Sequence, residues 1–284
     1  MNAFIEAARP RTLPAAIAPV LVGTATARNF IAWRFVAALT VGLSIQIAVN
    51  YANDYFDGVK GVDTEHRVGP RRAVASGLVS PGGMKVAIAL SLSIAAAAGA
   101  LLAAATTPWL LAVGTLAFLA TLGYSGGPKP YASAGLGEAF VFIFFGLVAT
   151  IGSAYVQDET VGRVAVLAAI PMGLLATAIL VANNIRDIDT DRSAGKATLP
   201  SRLGHGKART LYRVLLFGAF PFVPVIAGAA RSAWAMLPFL SVPFAIPLLQ
   251  RVNDEGRGLI PVLIGTARTE LIFGGLLTVG LWIS

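Results

Sequence analysis

The chain has 284 residues, of which 56% are hydrophobic and only 13% charged, with 22 Lys and Arg against 14 Asp and Glu. A soluble protein of that length would have too little polar surface to cover itself, so its solvent is a bilayer. The absence of cysteine excludes a disulfide framework and any thiolate metal site, and a net charge of +8 is accounted for by basic loops on one membrane face without nucleic acid.

A bilayer core about 30 Å thick needs roughly 20 mostly apolar residues per helix. About nine such stretches follow one another, at residues 12–28, 33–52, 84–105, 109–124, 136–156, 163–184, 211–230, 233–249 and 267–283. They are unbroken runs rich in Ala, Leu and Gly rather than the short alternating segments of a barrel, so the fold class is all-α integral membrane, with residues 1–284 as a single transmembrane domain. Pro14, Pro19, Pro171 and Pro224 inside the runs read as kinks or close-packing points. An N-terminus inside and a C-terminus outside leaves only Arg28, Arg34, Arg163 and Arg231 on the outer face and gathers the other basic residues inside. Arg9 and Arg11 before the first run outline a signal peptide, but Pro14 and Pro19 interrupt its core, so the first span is expected to stay as an uncleaved anchor.

The outer connections are nearly bare of charge, which places function on the inner side, in segments at about 53–83, 125–137 and 185–210. The first begins Asn50, Tyr51, Ala52, Asn53, Asp54, Tyr55, Phe56, Asp57 and goes on to Lys60, Asp63, Arg67, Arg71 and Arg72. If the second span continues through it, Asn53 and Asp57 lie one turn apart on one face. The third begins Asn183, Asn184, Ile185, Arg186, Asp187 and continues through Asp189, Asp191 and Arg192 to Lys196, Thr198 and Arg202. Asp187 and Asp191 are again one turn apart, and Asp189 projects elsewhere. Two Asp-bearing clusters with one-turn spacing at the mouth of a bundle, with few histidines, suit a hard cation such as magnesium completed by phosphate oxygens. Interleaved Arg and Lys would hold the remaining phosphate charge. The chemistry is that of a diphosphate joined to hydrocarbon.

These motifs resemble the paired Asp-rich motifs of the UbiA superfamily, membrane prenyltransferases with nine transmembrane helices around a central cavity. Further stretches are similar to the dihydroxynaphthoate branch: RPRTLP at 9–14, NYANDYFDGVKGVD at 50–63, RVGPR at 67–71, YSGGPKPYASAGLGE at 124–138, NNIRDIDTD at 183–191 and KATLPSRLG at 196–204. The resemblance implies two magnesium ions, one served by Asn53, Asp54 and Asp57 and the other by Asp187 and Asp191, with Lys60, Arg67, Arg71, Arg186 and Lys196 on the diphosphate. Tyr124 becomes a candidate for sheltering an allylic cation, beside Tyr51, Tyr55 and Phe56. Lys129, Tyr131 and Glu138 are candidates for the acceptor, although Tyr124 also reads as an interfacial anchor and Glu138 as half of an inter-helix hydrogen bond.

The implied reaction joins a polyprenyl diphosphate to 1,4-dihydroxy-2-naphthoate with loss of diphosphate and carbon dioxide, a step of menaquinone synthesis at the cytoplasmic face of a bacterial inner membrane. Membrane lipid is the surrounding partner, and no obligatory protein partner is implied. Two alternatives stand beside it: another aromatic acceptor, and a secondary transporter of an anionic metabolite. A transporter would place its acids in broken spans at the midplane rather than at inner helix ends.

Overall fold

The computed structural model describes residues 2–59 and 71–284, so the expectations for Lys60, Asp63 and Arg67 lie outside the described residues. Its helices are α1 (Ala3–Ala7), α2 (Pro14–Ala25), α3 (Ala32–Val59), α4 (Pro81–Ala105), α5 (Trp109–Gly123), α6 (Gly137–Val141), α7 (Ala149–Asp158), α8 (Arg163–Arg186), α9 (Ile188–Ser193), α10 (Leu199–Gly218), α11 (Phe222–Ala230), α12 (Val242–Arg251) and α13 (Leu259–Trp282). A π-helical stretch, Phe142–Val148, joins α6 to α7, and a 3-10 stretch, Ala233–Ser241, runs into α12. There is no strand among the described residues.

Among the described residues, seven helical rods are long and apolar enough to cross a membrane: Ala32–Val59, Pro81–Ala105, Gly137–Asp158, Arg163–Arg186, Leu199–Ala230, Ala233–Arg251 and Gly256–Trp282. The other two expected spans fall on α2 and α5, which have 12 and 15 residues. At 1.5 Å per residue they rise only about 18 to 23 Å, short of a full bilayer core. Helix starts also differ from the apolar limits. α10 begins at Leu199 rather than near 211, because Thr198 caps it, accepting from the Ser201 N–H at 3.4 Å, and Pro200 sits in its first turn. Hydropathy is blind to that polar turn. Ser80 does the same for α4, accepting from the Gly83 N–H at 3.0 Å with Pro81 behind it. Most of the expected loop at 185–210 is thus helix, as α9 and the start of α10.

The largest buried cluster joins α2, α8, α10, α11, α12 and α13 through Met172, Leu175, Tyr212, Leu216 and Phe273. A smaller one fastens the chain after α3 back onto the bundle, with Ala52, Ala73, Val74 and Met84 at its centre. Gly58 is what lets them meet, since a Cβ there would stand 2.9 Å from that of Val74. Lipid supplies no hydrophobic drive between helices, so close backbone approach carries much of the packing. At Gly146 an added Cβ would collide with the Gly173 backbone of α8.

Gly146→Leu is therefore expected to lower the thermal midpoint of the detergent-purified protein, the overpacking costing about 1 to 3 kcal/mol. Gly228→Leu, at a position with no atom within 4 Å of an added Cβ, is expected to leave the midpoint unchanged.

Candidate functional site

α3 continues unbroken through Val59, so Asn53 and Asp57 do share a face, one turn apart. Asp57 is 3% exposed and holds two cations. Arg72 Nη2 donates to its Oδ2 at 2.6 Å and Lys196 Nζ to its Oδ1 at 2.9 Å. Arg72 Nη2 also donates to Asn53 Oδ1 at 3.1 Å, and Ser125 Oγ to the same oxygen at 3.2 Å. Asp54 faces a different way. Its two oxygens accept from the backbone N–H groups of Ala73 and Val74, each at 2.9 Å, and these bonds fix the turn that presents Arg72.

The second motif sits where α8 breaks. Asp187 has left helical geometry, with φ −99° and ψ 7°, yet the Asp191 N–H still donates to its carbonyl at 2.7 Å, which keeps the two acids one turn apart. Arg186 closes a fork on the neighbouring Asp187, with Nε on Oδ1 at 2.8 Å and Nη2 on Oδ2 at 2.6 Å, and Nη2 reaches Asn183 Oδ1 at 2.9 Å. Asp191 accepts from Thr198 Oγ1 at 3.2 Å. Burial and then the charge of Asp187 raise its pKa to about 6, with Asp57 adding to the rise and Lys196 and Thr198 opposing it. Asp189 points outward, its side chain 82% exposed and 3.5 Å from His205. Lys196 joins the two motifs, since its backbone N–H donates to the Asp191 carbonyl at 2.8 Å while its ammonium holds Asp57.

A polar cavity of about 520 Å³ collects Asn53, Asp57, Arg72, Asp187, Asp191 and Lys196, with Lys129 at its exposed edge. At Asn53, Tyr124 and Asn183 it meets an apolar chamber of about 110 Å³. Rings line that chamber in sequence: Tyr124 stands edge-on to Tyr131 at 5.5 Å, Tyr131 stacks on Phe140 at 4.1 Å, and Phe140 on Phe144 at 6.1 Å. Burial raises the pKa of Tyr131. Arg9 brings the chamber its one charged side chain among the described residues, from a left-handed backbone with φ 52°. The segment that carries it is tied to α3, for Asn50 Nδ2 donates to Ala8 O at 2.8 Å and Gln46 Nε2 to Thr12 Oγ1 at 3.1 Å.

Several sequence expectations change here. Arg71 is exposed and lines neither cavity, whereas Arg72, given no role from sequence, is buried against both Asn53 and Asp57. Adjacent arginines look alike in sequence; only the turn held by Asp54 decides which points inward. Asp54 itself is used by that turn and lines neither cavity. Glu138 takes the second of its two readings, an inter-helix hydrogen bond: it is buried and accepts from Asn184 Nδ2 at 3.0 Å, joining α6 to α8 away from both spaces. Arg9 and Ser125 were also missed as site residues, although the RPRTLP and YSGGPKP stretches that contain them were the available signal. Tyr51 bonds the Phe4 carbonyl at 3.1 Å and packs with Tyr55 and Phe56 around the smaller core rather than the chamber.

The donor set suits a hard cation. It is all oxygen, and burial followed by the charge of Asp187 raises the proton affinity of Asp191. Among the described residues no three His, Cys, Asp or Glu converge into a protein-only metal cage. Magnesium is commonly held by one or two carboxylates and completed by water and phosphate.

The model of the UbiA prenyltransferase family matches residues 16–257. The chain is 43% identical over 277 residues to the 1,4-dihydroxy-2-naphthoate octaprenyltransferase of Mycobacterium tuberculosis, covering 95% of this chain and 93% of the relative. In fold it is similar to the UbiA homolog from Aeropyrum pernix K1 (TM-score 0.74, 20% identity, 94% of this chain and 97% of that one). It is also similar to the UbiA homolog from Archaeoglobus fulgidus bound to GPP and Mg2+ (TM-score 0.65, 14% identity, 97% and 99%).

Removing one partner of a buried ion pair strands the other. Arg72→Ala is expected to destabilise the detergent-purified protein by about 3 to 5 kcal/mol in a thermal or denaturant melt, while Arg71→Ala leaves the melt unchanged.

Proposed function

The chain belongs to the UbiA prenyltransferase family, and from that premise we propose that it transfers a polyprenyl group from polyprenyl diphosphate to 1,4-dihydroxy-2-naphthoate, releasing diphosphate and carbon dioxide and forming a demethylmenaquinol. The observation that carries the reading is the junction of an acid- and base-lined mouth with an aromatic chamber at Asn53, Tyr124 and Asn183. A diphosphate belongs on the first side and hydrocarbon with a flat acceptor on the second. The chain is a multi-pass membrane enzyme, and the transporter alternative loses ground because Asp57, Asp187 and Asp191, the acids that line the mouth, stand at or near helix ends rather than within broken spans at the midplane, while Glu270, buried within α13, lines neither that mouth nor the chamber.

We assign Asn53 and Asp57 to one magnesium and Asp187 and Asp191 to a second; bound there, the ions would stabilise the charge that grows on the departing diphosphate. Arg72 and Lys196, which line the mouth, are our candidates to bind its oxygens, whereas Arg186 lines neither cavity and reaches the site through its fork on Asp187. Each now holds Asp57 or Asp187, so the same charges that keep the acids neutralised stand ready for an anion. Lys60 and Arg67 remain candidates from sequence for the same task. Asp54 keeps its place in the site by holding the turn under Arg72, not as a ligand. The rings of Tyr124, Tyr131 and Phe140 would exclude water from the allylic carbon and present their faces to its developing positive charge. The acceptor ring fits against the same rings. Its carboxylate is then within the domain of Arg9, which lines the chamber, and Lys129 guards the entrance rather than the ring itself. The mouth is assigned to the cytoplasmic face of a bacterial inner membrane on the distribution of basic residues.

Purified protein given magnesium, octaprenyl diphosphate and dihydroxynaphthoate is expected to release prenylated product and carbon dioxide, to stop on chelation and to restart on added magnesium. Asp57→Ala and Asp191→Ala should each lower turnover about 100-fold or more, and Asp189→Ala by less than about threefold. Absence of product with this acceptor, but turnover of a hydroxybenzoate or homogentisate, would move the assignment to another aromatic acid.

Orientation has its own check in intact cells, helped by a chain without native cysteine. An impermeant thiol reagent is expected to label Thr160→Cys, at an exposed outer connection, but not Ser80→Cys or Ser193→Cys, both exposed near the mouth. Labelling of Ser193→Cys from outside would put the site on the opposite face.

A further inference from the structure

Arg268 stands on an exposed side of α13, about 14 Å along the helix from Leu259. That end of α13 is the mouth end, because the connection before it is held by α10, with Arg209 Nη2 donating to Asn253 O at 2.9 Å. Half of a bilayer core is about 15 Å, so an exposed residue at this depth faces the hydrocarbon of one leaflet. The guanidinium lies over the ring of Phe244 on α12, 4.9 Å from its centroid, and that ring is exposed too. The two helices meet beside this contact, where a Cβ added to Gly265 would stand 2.5 Å from Leu248 Cδ2. Among the described residues Arg268 has neither an acid partner nor a hydrogen bond.

Two further arginines stand on the same seam. Arg257 precedes Arg268 by three helical turns to within about 20°, on the rod Gly256–Trp282, and Arg251 follows Phe244 by two turns to within about 20° on α12. The contact of Arg268 with Phe244 turns both of these faces to one side, with Arg251 and Arg257 exposed at the rim and Arg268 deeper. Of the two acids in the connection, Glu255 is turned to Arg209 at 4.0 Å, and Asp254 lies against Gly258. A guanidinium in hydrocarbon is costly unless its stem runs along apolar surface toward the interface and its head finds an anion. The ring of Phe244 offers the surface and a weak cation–π contact, but the anion has to come from outside the chain.

We propose that the seam between α12 and α13 binds an anionic glycerophospholipid, with Arg268 reaching its phosphate from within the leaflet and Arg251 and Arg257 drawing it from the rim. Charge fixes the occupant. Within the crossing rods Asp54, Asp57, Glu138 and Glu270 are buried, and Asp158 is taken by the backbone N–H groups of Arg28 and Asn29. A second copy of the chain therefore offers no lipid-facing carboxylate at the depth of Arg268. The bilayer does offer phosphates at the rim, and three cations without acid partners favour a headgroup of net negative charge over a zwitterionic one. Nothing in this site depends on which acceptor the enzyme prenylates.

The test titrates delipidated full-length protein in detergent with phosphatidylglycerol or phosphatidylcholine and follows the lipid adducts by native mass spectrometry. The unaltered protein is expected to prefer phosphatidylglycerol. Arg268→Leu should lower that affinity about fivefold or more and leave the phosphatidylcholine affinity unchanged. Arg268→Lys, which keeps the charge, should retain the preference, and so should Lys207→Gln, a control at an exposed cation of α10. In nanodiscs, added phosphatidylglycerol is expected to raise the thermal midpoint of the unaltered protein but not that of Arg268→Leu. A melt of Arg268→Leu in phosphatidylcholine alone shows whether it is folded; if it is not, the double variant Arg251→Gln/Arg257→Gln, at exposed rim positions, replaces it with the same fivefold loss expected. Equal affinity of the unaltered protein for both lipids, or a phosphatidylglycerol preference that survives in the folded variants, would overturn the site. A dimer that Arg268→Leu converts to monomers would overturn it as well, giving the face to a second copy.

Discussion

The double ion pair on Asp57 is the constraint on which the site depends. Arg72 reaches it from the turn after the first motif and Lys196 from the loop after the second, so one buried carboxylate joins segments far apart in the chain. A buried carboxylate without partners is too costly to keep charged, and here the partners come from both halves. The two motifs are therefore held at one mouth by the same bonds that neutralise Asp57. Asp54 supports this from behind through two backbone amides, and burial, with the charge of Asp187 added, accounts for the raised proton affinity of Asp191.

From that mouth the environment changes in one direction. Polar groups give way at Asn53, Tyr124 and Asn183 to a ladder of rings. A substrate with a diphosphate at one end and hydrocarbon at the other is matched to this gradient by solvation alone, since each part lies where its transfer free energy is lowest. The π-helical stretch contributes twice, turning Phe144 and Phe145 to the chamber on one side while Gly146 seats against Gly173 on the other. Such bulges recur where a helix must serve a site as well as a core.

Glycine has two unlike uses in this bundle. Gly23, Gly146 and Gly280 admit backbone contact and carry packing, while Gly99, Gly114 and Gly152 face open space and carry none. Composition cannot separate the two, because a small residue in an apolar run looks the same whether a helix or a void lies opposite.

The sequence by itself determined the solvent, the helical class and the chemistry of the mouth. Apolar runs must satisfy their backbone within helices, and polar residues at a one-turn spacing share a face wherever the helix continues, as Asn53 and Asp57 do and as Asp187 and Asp191 do across a break in α8. Its motifs also pointed to the family, over nearly the whole chain. It could not choose between Arg71 and Arg72, separate Asp54 from Asp57, or name Asn184 as the partner in the inter-helix reading of Glu138, because those outcomes depend on partners distant in sequence. The position of Arg9 on the chamber wall and the layout of the apolar spaces were likewise decided by tertiary structure. Local periodicity fixes which side of its own helix a residue occupies, but burial, pairing and empty space belong to the other helices packed around it.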